Sequence, residues 1–380
     1  MVPADKGSGA RRLSSADTSG DHVVMFNNMV TPYTNRLFNA VVGAGLRLSV
    51  VSCAGSEPNR DWGNTIEVQY PHFVLPGRAF GFSNKSRFAH LNQRIFRTLD
   101  GLRPTRLVIN GIQPSMLIAA IWAALRGVEL AFSTDGWRQT MPTSPMHRLV
   151  RKWVFRQARR FAVCGEKGRE YLLSSGVREE AVHVVPLVPA WSPAMPAQEP
   201  EFDLLWVGHL TQVPKNALFF ADLCVDVCRQ RGALSVRVVG RGDMLDEVRE
   251  RLGRGGVTVR YDSYVPWTQM EQVYRSARML LLPSTWEAWG LAVNEAMQCG
   301  LPVVVSPFAG AADDLVQDGV NGRVVPLEIE RWRDAVIEVL ADTRTARRYS
   351  AAALDSLASR NSANSLERFV AFAYSADSAR

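Results

Sequence analysis

Two trains of short β-rich apolar runs constrain this chain more than any other feature. Segments of helical length separate the runs, and a proline-dense break divides the trains. The first train is HVVMF (22–26), LSVVSCA (48–54), RLVING (106–111), LAFST (130–134), FAVCG (161–165) and VHVVPL (182–187). The second is DLLWVG (203–208), LSVRVVG (234–240), VTVRY (257–261), MLLLPS (279–284), LPVVVS (301–306) and RVVP (323–326). Strands alternating with helices build right-handed βαβ units and parallel sheets. Between the trains, Pro186, Pro189, Pro193, Pro196 and Pro200 mark an exposed linker. The pattern predicts an α/β chain with two Rossmann-like domains, over 22–190 and 200–361, whose parallel sheets face a central cleft. A helical segment in 362–380 follows the last strand and is expected to pack back on the first domain. Residues 66–80 give no clear element. Residues 1–21 are rich in Gly, Ser, Ala and charge without an apolar core, so they read as a disordered leader or an overextended start, not a signal peptide.

Composition narrows the class. At 47% hydrophobic and 21% charged, the 380 residues are neither disordered, collagenous nor an integral membrane bundle. The longest apolar candidate, Met116 to Leu125, falls short of the roughly 18 residues a spanning helix needs. Five scattered cysteines argue against a disulfide framework and for a reducing, cytoplasmic compartment. Cys224 and Cys228 lie one helical turn apart, but two further zinc ligands do not follow. The formal net charge of +7 suggests an anionic partner: nucleic acid, acidic lipid or a phosphorylated substrate.

The stretch PSTWEAWGLAVNEAMQCGLPVVVS (283–306) carries the chemistry. A strand ends at Ser284, a loop holds Glu287, Trp289 and Gly290, all three candidates for ligand contact, and a helix begins near Leu291 and stops at Gly300. The first N–H groups of such a helix lack internal partners and, with the helix dipole, favour a phosphate. Gly290 lets backbone approach the ligand. Glu287 and Glu295 beside a phosphate seat repel it, yet suit sugar hydroxyls, which donate hydrogen bonds to carboxylates at roughly 1.5–3 kcal/mol each. A sugar joined to a diphosphate satisfies both halves.

This spacing, E-x₇-E within PSxxExxGLxxxEAMxCGxPVV, resembles the retaining GT-B glycosyltransferases, glycosyltransferase family 4 in particular. The resemblance is specific over about 203–340 and weaker over 22–188, and FAGAADDLVQDGVNGRVVP (308–326) also has its counterpart. It implies that the second domain holds a nucleotide-diphosphate-sugar as co-substrate, with Glu287 on the sugar hydroxyls, Glu295 on the ribose, the amides of Gly290 and Leu291 on the diphosphate and the base near Val265. It further implies no metal and no other cofactor, a saccharide or lipid-linked saccharide acceptor in the first domain, and a role in assembling a cell-surface polysaccharide. The family's Arg and Lys after the first donor-domain strand meet VGHLTQVPKN here: Lys215 matches the Lys, but His209 stands at the Arg position and the gap is one residue longer. Histidine is mostly neutral at neutral pH, so either the bound diphosphate keeps His209 charged or another cation substitutes, with Arg241, in VVGRGDM, the candidate. Asp135, in FSTDGWRQT, is placed near the reacting sugar. The loop NNMVTPYTNRLFNA (27–40) either faces the donor across the cleft or is simply a helix start capped by Thr31 or Thr34.

Between Asp135 and Glu166 no acid occurs. Arg148, Arg151, Lys152, Arg156, Arg159 and Arg160 are expected on one helix, with Met146, Leu149, Val150, Trp153 and Val154 on its other face. A second basic amphipathic helix is expected from Lys85 to Arg103. Both read either as solvated faces of core helices or as a platform for anionic lipid on the cytoplasmic side of a membrane. Nucleic acid is not expected, since no nucleic-acid module is present. The competing functions are a GT-B nucleotide-sugar epimerase and a non-catalytic basic membrane-binding protein.

Overall fold

The computed structural model describes residues 20–57, 66–82, 87–196, 199–358 and 360–375; for Phe82, Arg87 and Phe88 only backbone is described. Most of the expected leader therefore lies outside the described residues.

The first train becomes a parallel sheet. Its strands are β1 (His22–Asn27), β2 (Arg47–Ser52), β3 (His72–Val74), β6 (Arg106–Asn110), β7 (Glu129–Thr134), β8 (Ala158–Val163) and β9 (Val182–Val184), in the order β3-β2-β1-β6-β7-β8-β9. Between β3 and β6 the chain adds an antiparallel hairpin, β4 (Gly77–Phe82) with β5 (Arg87–Asn92). The second train gives β10 (Leu204–Val207), β11 (Ser235–Val239), β12 (Thr258–Asp262), β13 (Leu280–Leu282), β14 (Val303–Val305) and β15 (Arg323–Val324), ordered β12-β11-β10-β13-β14-β15 and parallel. Strands covered on both faces read as continuous apolar runs, and Val23, Val24, Phe26, Leu107, Val108, Leu204, Leu205, Leu280 and Leu281 are all fully buried. At about 1.5–3 kcal/mol for each large buried side chain, these strands are the main apolar investment of both domains.

The helix Ser362–Tyr374 leaves the second sheet and packs on the first. Phe369, Phe372 and Tyr374 are buried with Phe38, Val23 and Val50. Arg106 donates to the carbonyl of Ala373, and the Tyr374 hydroxyl donates to the Arg47 carbonyl at 3.1 Å. The chain thus crosses between the domains twice.

Two expectations need correction. The 85–103 stretch is not one helix: it begins as the β5 half of the hairpin, and only Ile95–Leu102 is helical. The basic helix ends earlier than expected, spanning Pro145–Gln157. Arg159 and Arg160 belong to β8, and Arg160 is buried against Glu129 at 3.1 Å, so it is no part of a surface platform.

Candidate active site

In an open α/β sheet, ligands bind outside the strand carboxyl ends where the strand order reverses direction. In the second domain that point lies between β10 and β13. The loop after β10 carries His209 and Lys215, and the loop after β13 carries Glu287, Trp289 and Gly290. The Thr285 amide donates to the Pro214 carbonyl at 2.7 Å, which locks the two loops together.

Lys215 and Glu287 form an ion pair, with side chains 19% and 13% exposed. Ser284 donates its hydroxyl to the same carboxylate oxygen at 3.0 Å. Glu287 is thereby fixed between the loops after β10 and β13. Gly290 follows with φ +99°, a left-handed backbone that L side chains rarely adopt, and it caps the helix Leu291–Gln298. A Cβ there would also meet the Leu282 Cδ2 at 3.2 Å. The helix stops as the sequence suggests: Gly300 has φ +68°, and Leu301 donates back to the Ala296 carbonyl at 3.0 Å. The amides of Leu291 and Ala292 have no helical acceptor, while Val293 donates to the Gly290 carbonyl at 2.9 Å.

Glu295 lies just over one turn into this helix. The Tyr274 hydroxyl donates to its Oε2 at 2.6 Å. Burial pushes the Glu295 carboxyl up from 4.5 to about 7, and the Tyr274 hydroxyl and Trp191 indole partly oppose that rise. Trp191, from the linker, stacks on Tyr274 with ring centroids 6.2 Å apart. Its indole N–H is buried and lies within electrostatic reach of Glu295, but it lacks hydrogen-bond geometry to any acceptor among the described residues.

His209 and Arg241 lie side by side, the His209 Nδ1 being 3.3 Å from the Arg241 carbonyl. The tight pass between their loops depends on glycine: at Gly240, φ +146°, a Cβ would fall 1.9 Å from the Gly208 carbonyl oxygen. Val265, after β12, is half-buried against the core cluster that includes Tyr274. Trp289 departs from expectation. Its indole is 3% exposed and donates to Asn294 at 2.6 Å, so the side chain belongs to the core and not to the cleft wall.

From the first domain, Asp135 is exposed at the end of β7. Two residues on, the Trp137 indole donates to the Glu287 carbonyl at 2.6 Å, which brings the Asp135 loop against the donor loop. Lys167 closes the same seam. Its ammonium donates to the carbonyls of Pro307 and Ala309 at 2.7 and 2.8 Å and sits 5.2 Å from the centre of the Trp137 ring. In the 27–40 segment, Thr31 caps the helix Pro32–Gly43 through a reciprocal pair with Thr34. The amide of Asn27, just before that loop, is buried with neither end partnered among the described residues. Trp137, Lys167, Tyr274 and Trp191 were not singled out in sequence, and only their three-dimensional partners reveal them. Arg148, Arg151, Lys152, Arg156 and Arg159 lie outside this cleft, along the β9 edge of the first sheet.

The comparisons with known proteins follow this geometry. A family model described as "Glycosyl transferases group 1" matches residues 201–342, and one described as "Glycosyl transferase 4-like domain" matches 30–187. The O-antigen chain mannosyltransferase B of Escherichia coli is 44% identical over 103 residues, 24% of this chain and 27% of that protein. The D-inositol 3-phosphate glycosyltransferase of Kribbella flavida is 34% identical over 110 residues, 29% of this chain and 26% of that protein. The matched region thus spans about a quarter of each of these relatives. Among solved structures, Anabaena HepE in complex with UDP superposes with a TM-score of 0.72 at 16% identity, covering 92% of this chain and 98% of that one.

Proposed function

The chain belongs to the GT-B glycosyltransferases, family 4 in type, and we propose that it moves a sugar from a nucleoside-diphosphate sugar to a saccharide or lipid-linked saccharide, with retention at the anomeric carbon. The observation that carries this reading is the Lys215–Glu287 pair at the β10/β13 reversal, beside the open helix terminus at Gly290 and with Glu295 one turn on. The UDP held by the Anabaena neighbour supports a nucleoside diphosphate as the leaving group. The O-antigen mannosyltransferase relative supports a hexosyl donor and a role in surface polysaccharide assembly.

In this reading the diphosphate lies on the amides of Gly290 and Leu291, with Lys215 neutralising the charge that develops as it leaves. Glu287 accepts from the sugar hydroxyls and Glu295 from the ribose. Retention by same-face substitution suits this cleft. The bond from the anomeric carbon to phosphate oxygen breaks, the acceptor oxygen bonds to that carbon, and the acceptor proton passes to the departing phosphate oxygen. No nucleophilic side chain is required, and the Glu287 carboxylate is already held by Lys215 and Ser284. Asp135, carried beside the donor loop by Trp137, is assigned to the acceptor side.

The test is a panel of nucleotide sugars read first by thermal stabilisation, then by transfer to saccharide and lipid-linked saccharide acceptors, with the product's anomeric configuration determined. An acceptor-independent change of the donor sugar would favour an epimerase. Stabilisation by no nucleotide sugar at all would sink the reading.

A further inference from the structure

A number of partly or fully exposed arginines elsewhere in the molecule are answered by acids. Arg251 meets Asp222 and Glu247, Arg254 meets Glu250, Arg323 meets Asp318 and Glu338, and Arg169 meets Glu166 and Glu179. The helix Pro145–Gln157 breaks this habit. Arg148, Lys152 and Arg156 stand at i, i+4, i+8, and none has an acidic partner among the described residues. Like charges at that spacing destabilise a helix, so the column carries an internal cost that no acid among the described residues offsets.

The column borders a cavity of about 1080 Å³ along the edge strand β9. Arg151, Arg159 and Arg178 also line it, and the one acid in its wall, Glu180, is already paired with Arg178 at 3.1 Å. The adjoining stripe of the same helix is apolar. Met146 and Leu149 are 71% and 70% exposed, and Trp153 continues the stripe at i+7 from Met146. A soluble polyanion would use the cations but leave Met146 and Leu149 in water. An anionic bilayer surface uses both, because apolar side chains enter the headgroup boundary while basic ones meet lipid phosphates.

We infer that this helix face is a docking surface for anionic membrane, with the cavity beside β9 receiving a lipid phosphate headgroup. The inference stands apart from the transfer reading, since the surface lies outside the cleft. It also supplies a reason for the enzyme to meet an acceptor borne on lipid.

The experiment is co-sedimentation of the full chain with phosphatidylcholine vesicles with and without phosphatidylglycerol. The wild type binds the anionic vesicles, loses them as salt is raised, and ignores pure phosphatidylcholine. The combined variant Arg148→Gln, Lys152→Gln, Arg156→Gln binds about a hundredfold more weakly, near fivefold for each residue. Its thermal stability is unchanged or higher, because the repelling column is gone. Leu149→Ser weakens vesicle binding several-fold while keeping the salt dependence. UDP-induced stabilisation, measured on the same samples, reports on the donor site separately and is retained in all variants. Equal binding of wild type and combined variant, or no binding by the wild type, would overturn the inference. So would displacement from vesicles by millimolar inorganic phosphate, which would mark a free-phosphate site. Retention by single-stranded RNA without retention by vesicles would also overturn it, in favour of nucleic acid.

Discussion

Glu295 makes the clearest quantitative demand on the site, because the same burial that positions it costs stability. Its carboxyl is raised from 4.5 to about 7 by desolvation. Below about pH 4.5 the group is neutral in folded and unfolded chains alike, and nothing is lost. Between about 4.5 and 7 the unfolded chain ionises first, so the folded state holds more protons and stability falls as pH rises. Above 7 both states are ionised and the full cost stands, up to about 3 kcal/mol. Glu295→Gln keeps an oxygen for the Tyr274 hydroxyl but has no charge to bury. Urea unfolding of the donor domain should therefore show the variant close to wild type near pH 4.5 and more stable by up to about 3 kcal/mol near pH 8. Donor binding should move the other way. An amide loses a charged hydrogen bond to ribose worth roughly 1.5–3 kcal/mol, so affinity for the nucleotide sugar drops about tenfold or more. A stability difference that is flat across this pH range would refute the burial argument. Unchanged donor affinity would refute the ribose assignment.

Lys215→Ala should lower kcat by about a hundredfold to a thousandfold, the scale for removing one preorganised transition-state partner. Arg241→Ala should lower it at least tenfold if that side chain supplies the second cation, and unchanged turnover in steady-state assays would remove it from that role. Trp137→Phe deletes the N–H held by the Glu287 carbonyl; kcat should fall several-fold while UDP affinity, read by calorimetry, stays near wild type. Glu287→Gln removes the carboxylate that competes with phosphate for Lys215, so UDP should bind more tightly while sugar transfer slows, and weaker UDP binding would contradict the pairing.

The two trains of apolar runs were legible because parallel strands covered on both faces need no alternation, and each run coincides with a strand. The glutamate pair was legible because loop and helix N-terminus are contiguous in sequence. The hairpin was not. Leu91, Ile95 and Leu99 fall at i, i+4, i+8, a helical period by coincidence. What fixes β5 is polar and distant: Asn92 donates to the carbonyls of Cys53 and Leu75 at 2.7 and 3.0 Å, and Ser115 donates to the His90 carbonyl at 2.8 Å. Trp289 misled for the converse reason. It is flanked by cleft residues in sequence, but its indole turns inward to Asn294, five residues on. Trp137, Lys167 and Trp191 act across the domain boundary or from the linker, where local pattern carries no information.

On the proposed transfer reading, the Lys215–Glu287 pair lets one cleft serve both a diphosphate and a polyol. A partly buried ammonium with no counter-charge would be costly, and breaking such a pair by removing one member is strongly destabilising. With Glu287 in place the Lys215 charge is balanced from within the chain. An arriving diphosphate then replaces one anionic partner of Lys215 with another, so binding is an exchange and does not require a bare cation to be kept waiting. The displaced carboxylate, still tethered by Ser284 at 3.0 Å, needs new donors, and the hydroxyls of a sugar attached to that diphosphate arrive with it. A free sugar cannot make the exchange because it brings no charge for Lys215. A bare diphosphate makes it but leaves Glu287 unsatisfied. In that reading the intact nucleotide sugar settles both groups at once, so selectivity for the joined molecule follows from the Lys215–Glu287 pairing.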